Sequence, residues 1–350
     1  MTSQQVIREE VDNYKDTIYA IIGFMNLFRY DDQSKSMRNN ILFFQGCKLY
    51  PKVENENAEN ERRNNGEYVT PDIGIVLSND YGIIGEVKCS FPKDKTLWEK
   101  DFIQLMNYDQ ELTGWPTNSG TVKTHDVVLL THLSRAVAVK KYFEENEGVT
   151  FIKPFSIIEF HRYTQLKEFF FLRLNHGNIS ESVNGKRLED GISIPMNVFI
   201  NVYSRYKLYD APPPLPYLLE IIWTNIIALR AAENPKFPTL RKNQKIEVEI
   251  ELNELTDLLY QQFTFYQFSS TRRELQSYYR LQPKYPKHSW VVEACKKLIE
   301  SGDAIWKDES EQVVVIYFKR HTDIFDHFVK LCSKSEDKNQ LKLFNEKNDD

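Results

Sequence analysis

Residues 73–77 and 82–87 are two apolar, β-prone runs separated only by the turn sequence Ser78-Asn79-Asp80-Tyr81. A connection this short joins strands as an antiparallel hairpin, so the chain must build a sheet here. Helical and strand patterns alternate after it. A helix is expected over 97–112, a strand over 125–130, and a helix capped by Ser134 running to 145. A second antiparallel hairpin is expected from 155–160 and 167–174, and a further strand at 41–44. Strands interleaved in this way predict an α/β fold, a mixed central sheet flanked by helices. The chain opens with a helix whose stripe contains Val6, Ile7, Val11, Tyr14, Ile18, Ile21, Ile22 and Met25. Glu10 falls inside that stripe, between Val6 and Tyr14.

Composition supports a packed protein. The 350 residues are 41% apolar and 27% charged, too rich in core-forming side chains for a disordered chain. At roughly 150 residues per domain the length suggests about two domains. A formal net charge of −5 announces no nucleic-acid partner, so any basic surface must be local. The longest apolar stretch, 18–28, contains Asn26 and is shorter than the roughly 20 residues of a membrane span, so no span is expected. Arg8, Glu9 and Glu10 stand where a secretory signal needs an apolar core, which predicts a cytoplasmic protein. Cys47, Cys89, Cys295 and Cys332 are too scattered for a disulfide framework or a zinc site. His125, His132 and His161 lack ligand spacing and are expected to be structural. Residues 52–66 have almost nothing to bury and are expected to form a mobile loop.

The cluster Pro212-Pro213-Pro214-Leu215-Pro216 continues neither a helix nor a central strand, and it marks a domain boundary at 210/211. Beyond it lie a helix at 217–232, a strand at 246–252, helices at 254–263 and 289–301, and a hairpin of 304–306 with 313–318. That order resembles a winged helix-turn-helix, giving a second α+β domain over 211–332 and a frayed tail at 333–350. Between 264 and 300, Arg272, Arg273, Lys296 and Lys297 sit among Tyr278, Tyr279, Tyr285 and Trp290. Cations interleaved with aromatic rings suit phosphate contact, so these four are the candidate nucleic-acid-binding residues; a protein partner for this domain is the other reading.

The chemistry concentrates in the first hairpin. In a strand, residues two apart share a face, so Glu86 and Lys88 project together. A three-residue turn of Asn79, Asp80 and Tyr81 would place Asp72 opposite Lys88 and on the Glu86 face; a one-residue slip would turn it away. Two carboxylates beside a lysine suit a hard divalent cation, with the Val87 carbonyl as a further oxygen ligand. Mg²⁺ is the expected ion, with Mn²⁺ as a substitute, and the chemistry it suggests is phosphodiester hydrolysis.

Pro71-Asp72 and Glu86-Val87-Lys88 together resemble the two halves of the PD-(D/E)xK nuclease signature. Gln104-Leu105-Met106-Asn107-Tyr108 is similar to the Gln-x-x-x-Tyr motif of the RecB-like branch, its two polar residues one helical turn apart. The resemblance covers about residues 1–145, with 146–210 as a β-rich extension of a restriction-endonuclease-like domain. It implies that Asp72, Glu86, Lys88, Gln104 and Tyr108 form the catalytic set, and that Asp72, Glu86 and Val87 hold the metal. It also implies an acidic ligand from the first helix, Glu10 or failing that Glu9. The function expected is a Mg²⁺-dependent endonuclease, with DNA favoured over RNA, serving restriction, anti-phage defence or repair. The alternative is a non-catalytic DNA-binding or scaffold protein that keeps the fold, and the oligomeric state stays open, with a dimer one option.

Overall fold

The computed structural model describes residues 2–31, 36–37, 42–44, 49, 68–77, 80–88, 98–112, 114–117, 120–163, 165–174, 177, 179–180, 182–196, 207–241, 244–260, 286–310 and 312–334. The expected loop at 52–66, Cys47, Cys89, Arg272 and Arg273 lie outside them. Contacts divide the chain into two units. One, the sheet unit, comprises the described residues from 16 to 196. The other, the C-terminal unit, takes in residues 2–15 together with those from 207 to 334.

The sheet unit is mixed α/β. The strands of its main sheet are β1 (Leu42–Phe44), β2 (Ile73–Val76), β3 (Tyr81–Lys88), β4 (Thr124–His132), β5 (Phe155–Tyr163), β6 (Glu168–Arg173) and β7 (Ile192–Pro195). They lie side by side in chain order in one seven-stranded sheet. Adjacent strands are antiparallel from β1 to β3 and from β5 to β7, whereas β3, β4 and β5 run parallel. Parallel neighbours need crossovers, and α2 (Trp98–Gln110) and α3 (Leu133–Glu145) supply them. A buried cluster joins Ile84 of β3, Val127 and Leu129 of β4 and Ile157 of β5 to Phe102, Leu105 and Tyr108 of α2 and Val139 of α3.

The opposite face carries α1 (Ser3–Arg29). At Gly23 a Cβ would lie 2.9 Å from the Phe171 ring, so the missing side chain lets the helix approach β6 closely. Phe24 packs on Phe171 at 5.9 Å between centroids, and Phe160, Phe169 and Phe171 are fully buried. Each such ring contributes about 1.5–3 kcal/mol by leaving water.

Two readings of α1 need correction. Its buried stripe runs through Ile7, Val11, Tyr14, Ile18 and Ile21, a 4-3-4-3 spacing, while Val6 is 41% exposed and Glu10 is exposed. Positions 6 and 10 sit one residue, about 100°, off that stripe. The second concerns domain membership, because residues 2–15 belong to the C-terminal unit. There the Tyr14 hydroxyl donates to the Ala211 carbonyl at 3.3 Å and accepts from the Tyr209 amide at 3.2 Å.

The C-terminal unit continues with α5 (Leu215–Ala232), following α4 (Ser182–Asp190) of the sheet unit. Helix α5 begins beside Pro214, and Pro216 occupies its first turn, where a missing N–H costs nothing. By length and composition alone it could cross a membrane, and 56% of it is buried in the protein, as in a core helix. Its middle, Ile222–Ile227, is π-helical and presents Trp223 to Phe318 and Phe328 at 5.6 and 5.7 Å.

Next come β8 (Ile246–Glu251), α6 (Leu252–Tyr260), α7 (His288–Ser301), β9 (Ala304–Asp308), β10 (Val313–Phe318) and a helix α8 at 324–334. The three strands form an antiparallel sheet in the order β8-β10-β9. Gly302, at φ 79°, closes α7 in the left-handed conformation that glycine adopts without strain. Helix α8 extends through residues 333 and 334, which corrects the expected start of the frayed tail. Phe328, Val329 and Cys332 are buried along it at helical spacing.

Where β3 meets β4, Gly85 is paired with Val128, and a Cβ there would fall 2.3 Å from Val128 Cγ2 and 2.7 Å from the Val128 carbonyl oxygen. Gly85→Ala should therefore destabilise the fold by about 1–3 kcal/mol. Adding Val128→Ala should recover only part of the loss, because the carbonyl remains. Urea unfolding midpoints of the single and double variants check this.

Candidate active site

The hairpin register decides which groups meet. Ile73 pairs with Gly85, so Asp72, one residue earlier, stands opposite Glu86. The Leu77 amide donates to the Tyr81 carbonyl at 3.1 Å, so the paired strands are three residues apart in sequence at their ends. The expected turn had three residues but began one position later. Moving it by one shifts the register by two, which changes the partner of Asp72 from Lys88 to Glu86 and keeps Asp72 on the same face. The Val87 amide donates to Asp72 Oδ2 at 2.9 Å, fixing the carboxylate beside Glu86. Val87 thus meets Asp72 through its N–H.

Glu86 is 1% exposed. Its Oε1 accepts from the Tyr108 hydroxyl, and its Oε2 lies 3.2 Å from Lys88 Nζ. The Tyr108 oxygen also receives Gln104 Nε2 at 2.9 Å and sits 3.1 Å from the Thr70 carbonyl. Apolar contacts hold α2 in place, since Trp98, Phe102, Leu105 and Tyr108 are buried along one side. Asp101, in its first turn, reaches Lys88 Nζ at 3.3 Å.

These contacts pull proton affinities in definite directions. Burial first, and then the neighbouring Asp72, push the Glu86 carboxyl well above the usual carboxylate range, against the lowering effects of Lys88 and Tyr108. Burial alone would lower Lys88; Glu86, then Asp72, then Asp101 outweigh it and raise the ammonium above its ordinary value. Burial and the Glu86 charge raise the Tyr108 phenol, so it stays a donor. Beneath the site the buried His125 bonds the Tyr108 carbonyl at 2.8 Å and is lowered to about 4 by burial, so it is neutral and structural.

Asp72, Glu86, Lys88, Gln104 and Tyr108 are thereby brought together on the sheet unit. Glu10 is not part of this cluster; it is exposed on the portion of α1 that belongs to the C-terminal unit, and so is Glu9. Asp101 was not anticipated. Its signal was present, since 101, 104 and 108 are spaced three and four apart and share a helical face. In the C-terminal unit Lys296 is exposed on α7, but Lys297 is largely covered and pairs with Glu300 at 3.1 Å. The outward residues of β8 are Glu247, Glu249 and Glu251, with Lys307 bonded to Glu249 at 2.6 and 2.7 Å.

Among the described residues no group of three or more His, Cys, Asp or Glu is arranged to hold a metal. Mg²⁺ asks for less, because it is commonly held by one or two carboxylates with water and substrate oxygens completing its shell. Asp72 and Glu86 offer oxygen only. With Glu86 ionised, three carboxylates against one ammonium would leave the cluster at a formal charge of −2, which one divalent cation would balance. The donor chemistry and the charge both fit a hard divalent ion.

The raised Glu86 carboxyl has a consequence for stability. Above the ordinary Glu value, unfolded Glu86 has lost a proton that the folded protein retains, so stability falls as pH rises through the folded value. It is greatest below the ordinary value. Glu86→Gln removes this titration, so its melting temperature relative to the parent should climb steadily from acid to neutral pH. Thermal melts of both proteins in EDTA across that range check the slope.

No protein-family model, curated protein or solved structure matches this chain.

Proposed function

We propose that the chain is a Mg²⁺-dependent DNA endonuclease of PD-(D/E)xK, RecB-like type, with a restriction-endonuclease-like sheet unit and a winged-helix module after it. The observation that carries this reading is the convergence of Asp72 and Glu86, opposite one another, with Lys88, Gln104 and Tyr108 on one face. Val87 N–H holds Asp72, Tyr108 holds Glu86, and Gln104 holds Tyr108, so the carboxylates are oriented before substrate arrives. Held by Asp72 and Glu86, the ion would polarise a phosphoryl oxygen and acidify a bound water. Lys88 stays protonated between Glu86 and Asp101, where it can orient water and offset charge developing on the phosphate. A binding-only role is disfavoured, because a net negative cluster repels phosphate unless a cation is recruited. Restriction, anti-phage defence or DNA repair is the setting that suits such an activity.

The winged-helix part of the proposal is supported by the order helix, strand, helix, helix and hairpin, with β8 pairing β10. For this module a second reading, docking a basic protein surface, is favoured by the exposed Glu247, Glu249 and Glu251 and by the pairing of Lys297 with Glu300.

Plasmid cutting should need Mg²⁺ or Mn²⁺, stop in EDTA, and vanish in Asp72→Ala and Glu86→Ala while far-UV circular dichroism is unchanged. Lys88→Ala should lose about 100- to 1000-fold in turnover. Cutting in EDTA, or by either carboxylate variant, would falsify the assignment. The module is tested separately by changing Arg272, Arg273, Lys296 and Lys297 to alanine and titrating DNA binding at several salt concentrations. Phosphate contact by these residues predicts weaker binding and a flatter salt dependence. Coincident slopes and equal affinity would assign the module to protein docking.

A further inference from the structure

The face that carries the site does not end at Lys88. Lys88 pairs across the parallel strands with Thr131 of β4, and Thr131 pairs with Glu159 of β5. Paired residues share a face, and the buried cluster joining Ile84, Leu129 and Ile157 marks it as the face beneath α2 and α3. Neighbouring strands are about 4.8 Å apart, so Glu159 stands about 10 Å along the sheet from Lys88. That distance is within the span of one nucleotide.

Thr131 is unsatisfied and Glu159 is without a protein partner. Thr131 is 1% exposed and its Oγ1 has no hydrogen-bond partner. Glu159 is 8% exposed and, among the described residues, has no ion pair or hydrogen bond; burial alone raises its carboxyl above the usual range. A buried hydroxyl without a partner costs stability, commonly about 1–3 kcal/mol. Beside the proposed catalytic cluster, an unsatisfied hydroxyl next to an unpaired carboxyl points to a ligand that supplies the missing bonds. That ligand group is not a phosphate, because Glu159 is an ionisable carboxyl with no cation paired to it, and it repels an anion. A carboxyl and a hydroxyl together suit a neutral donor, such as a sugar hydroxyl or an exocyclic amine.

Resting on the nuclease reading, we propose that Thr131 and Glu159 form a subsite that hydrogen-bonds a neutral donor on the nucleoside next to the scissile phosphate. The subsite gives the enzyme a preference among nucleotides that the metal-binding cluster itself does not provide.

The test uses Thr131→Val and Glu159→Leu in the full chain, with phosphorothioate homopolymers of deoxyuridine, deoxycytidine and uridine, which resist cutting, in the presence of Mg²⁺. Fluorescence anisotropy reads affinity, and thermal melting reads stability. Each variant should lose about 5- to 100-fold in affinity for the oligomer bearing the recognised donor, and little for deoxyuridine. Loss confined to deoxycytidine identifies the exocyclic amine; loss confined to uridine identifies the 2′-hydroxyl. Melting temperatures should hold or rise, because neither side chain makes a hydrogen bond or ion pair that the apolar replacement would remove. Equal loss on all three oligomers, no loss at all, or a fall in melting temperature of many degrees would overturn the subsite. If the parent cuts plasmid and the variants bind as the parent does, the subsite fails and the nuclease reading stands. A parent that neither binds nor cuts removes both.

Discussion

A carboxylate withdrawn from water is the element on which the site depends. Glu86 sits in an interior strand of the sheet, buried on both faces, where an isolated charge would cost several kcal/mol. Tyr108 and Lys88 compensate from two sides, and each is itself held, Tyr108 by Gln104 and Lys88 by Asp101. Asp72 opposes the ionisation of Glu86 and is held there by the Val87 amide. Every group in the cluster therefore raises or lowers the proton affinity of another. Mutual perturbation among buried titratable groups is one physical ground for the proposed catalytic role.

The architecture explains why this cluster forms at the end of β3. The parallel run of β3, β4 and β5 requires crossovers, and each crossover helix starts near the carboxyl end of the strand before it. Helix α2 thus delivers Asp101 to Lys88 in its first turn and Tyr108 to Glu86 two turns later. On the opposite face of the same strand, Gly85 lets Val128 press against the β3 backbone. Packing on the far side of the sheet and chemistry on the near side are set by neighbouring residues of one strand.

The C-terminal unit has a different electrostatic character. The alternation in β8 buries Ile246, Val248 and Ile250 and turns three glutamates outward, so that face is acidic. Exposed residues on α7 include Glu293, Lys296 and Glu300, a mixed surface rather than a basic stripe. Of the four candidate cations, Arg272 and Arg273 lie outside the described residues, and Lys297 pairs with a glutamate three residues on. Linear charge composition carries no information about which ammonium reaches solvent.

Local patterns determined much of this protein. The 2-residue and 3.6-residue periodicities located β2, β3, α2, the second hairpin and α5–β8–α6–α7, because hydrophobic alternation records which side of an element is buried. The same periodicity put Glu86 with Lys88 and Gln104 with Tyr108. Three things were not legible there. The partner of Asp72 depended on where three turn residues sat, a choice made by pairing across β2 and β3. The membership of Glu10 depended on contacts of Tyr14 with residues nearly 200 positions away. The alignment of Lys88 with Thr131 and Glu159 depended on the register of three parallel strands separated by two helices. Sequence periodicity describes how one segment meets its surroundings, whereas these depend on which distant segment is the neighbour. Only the tertiary packing decides that.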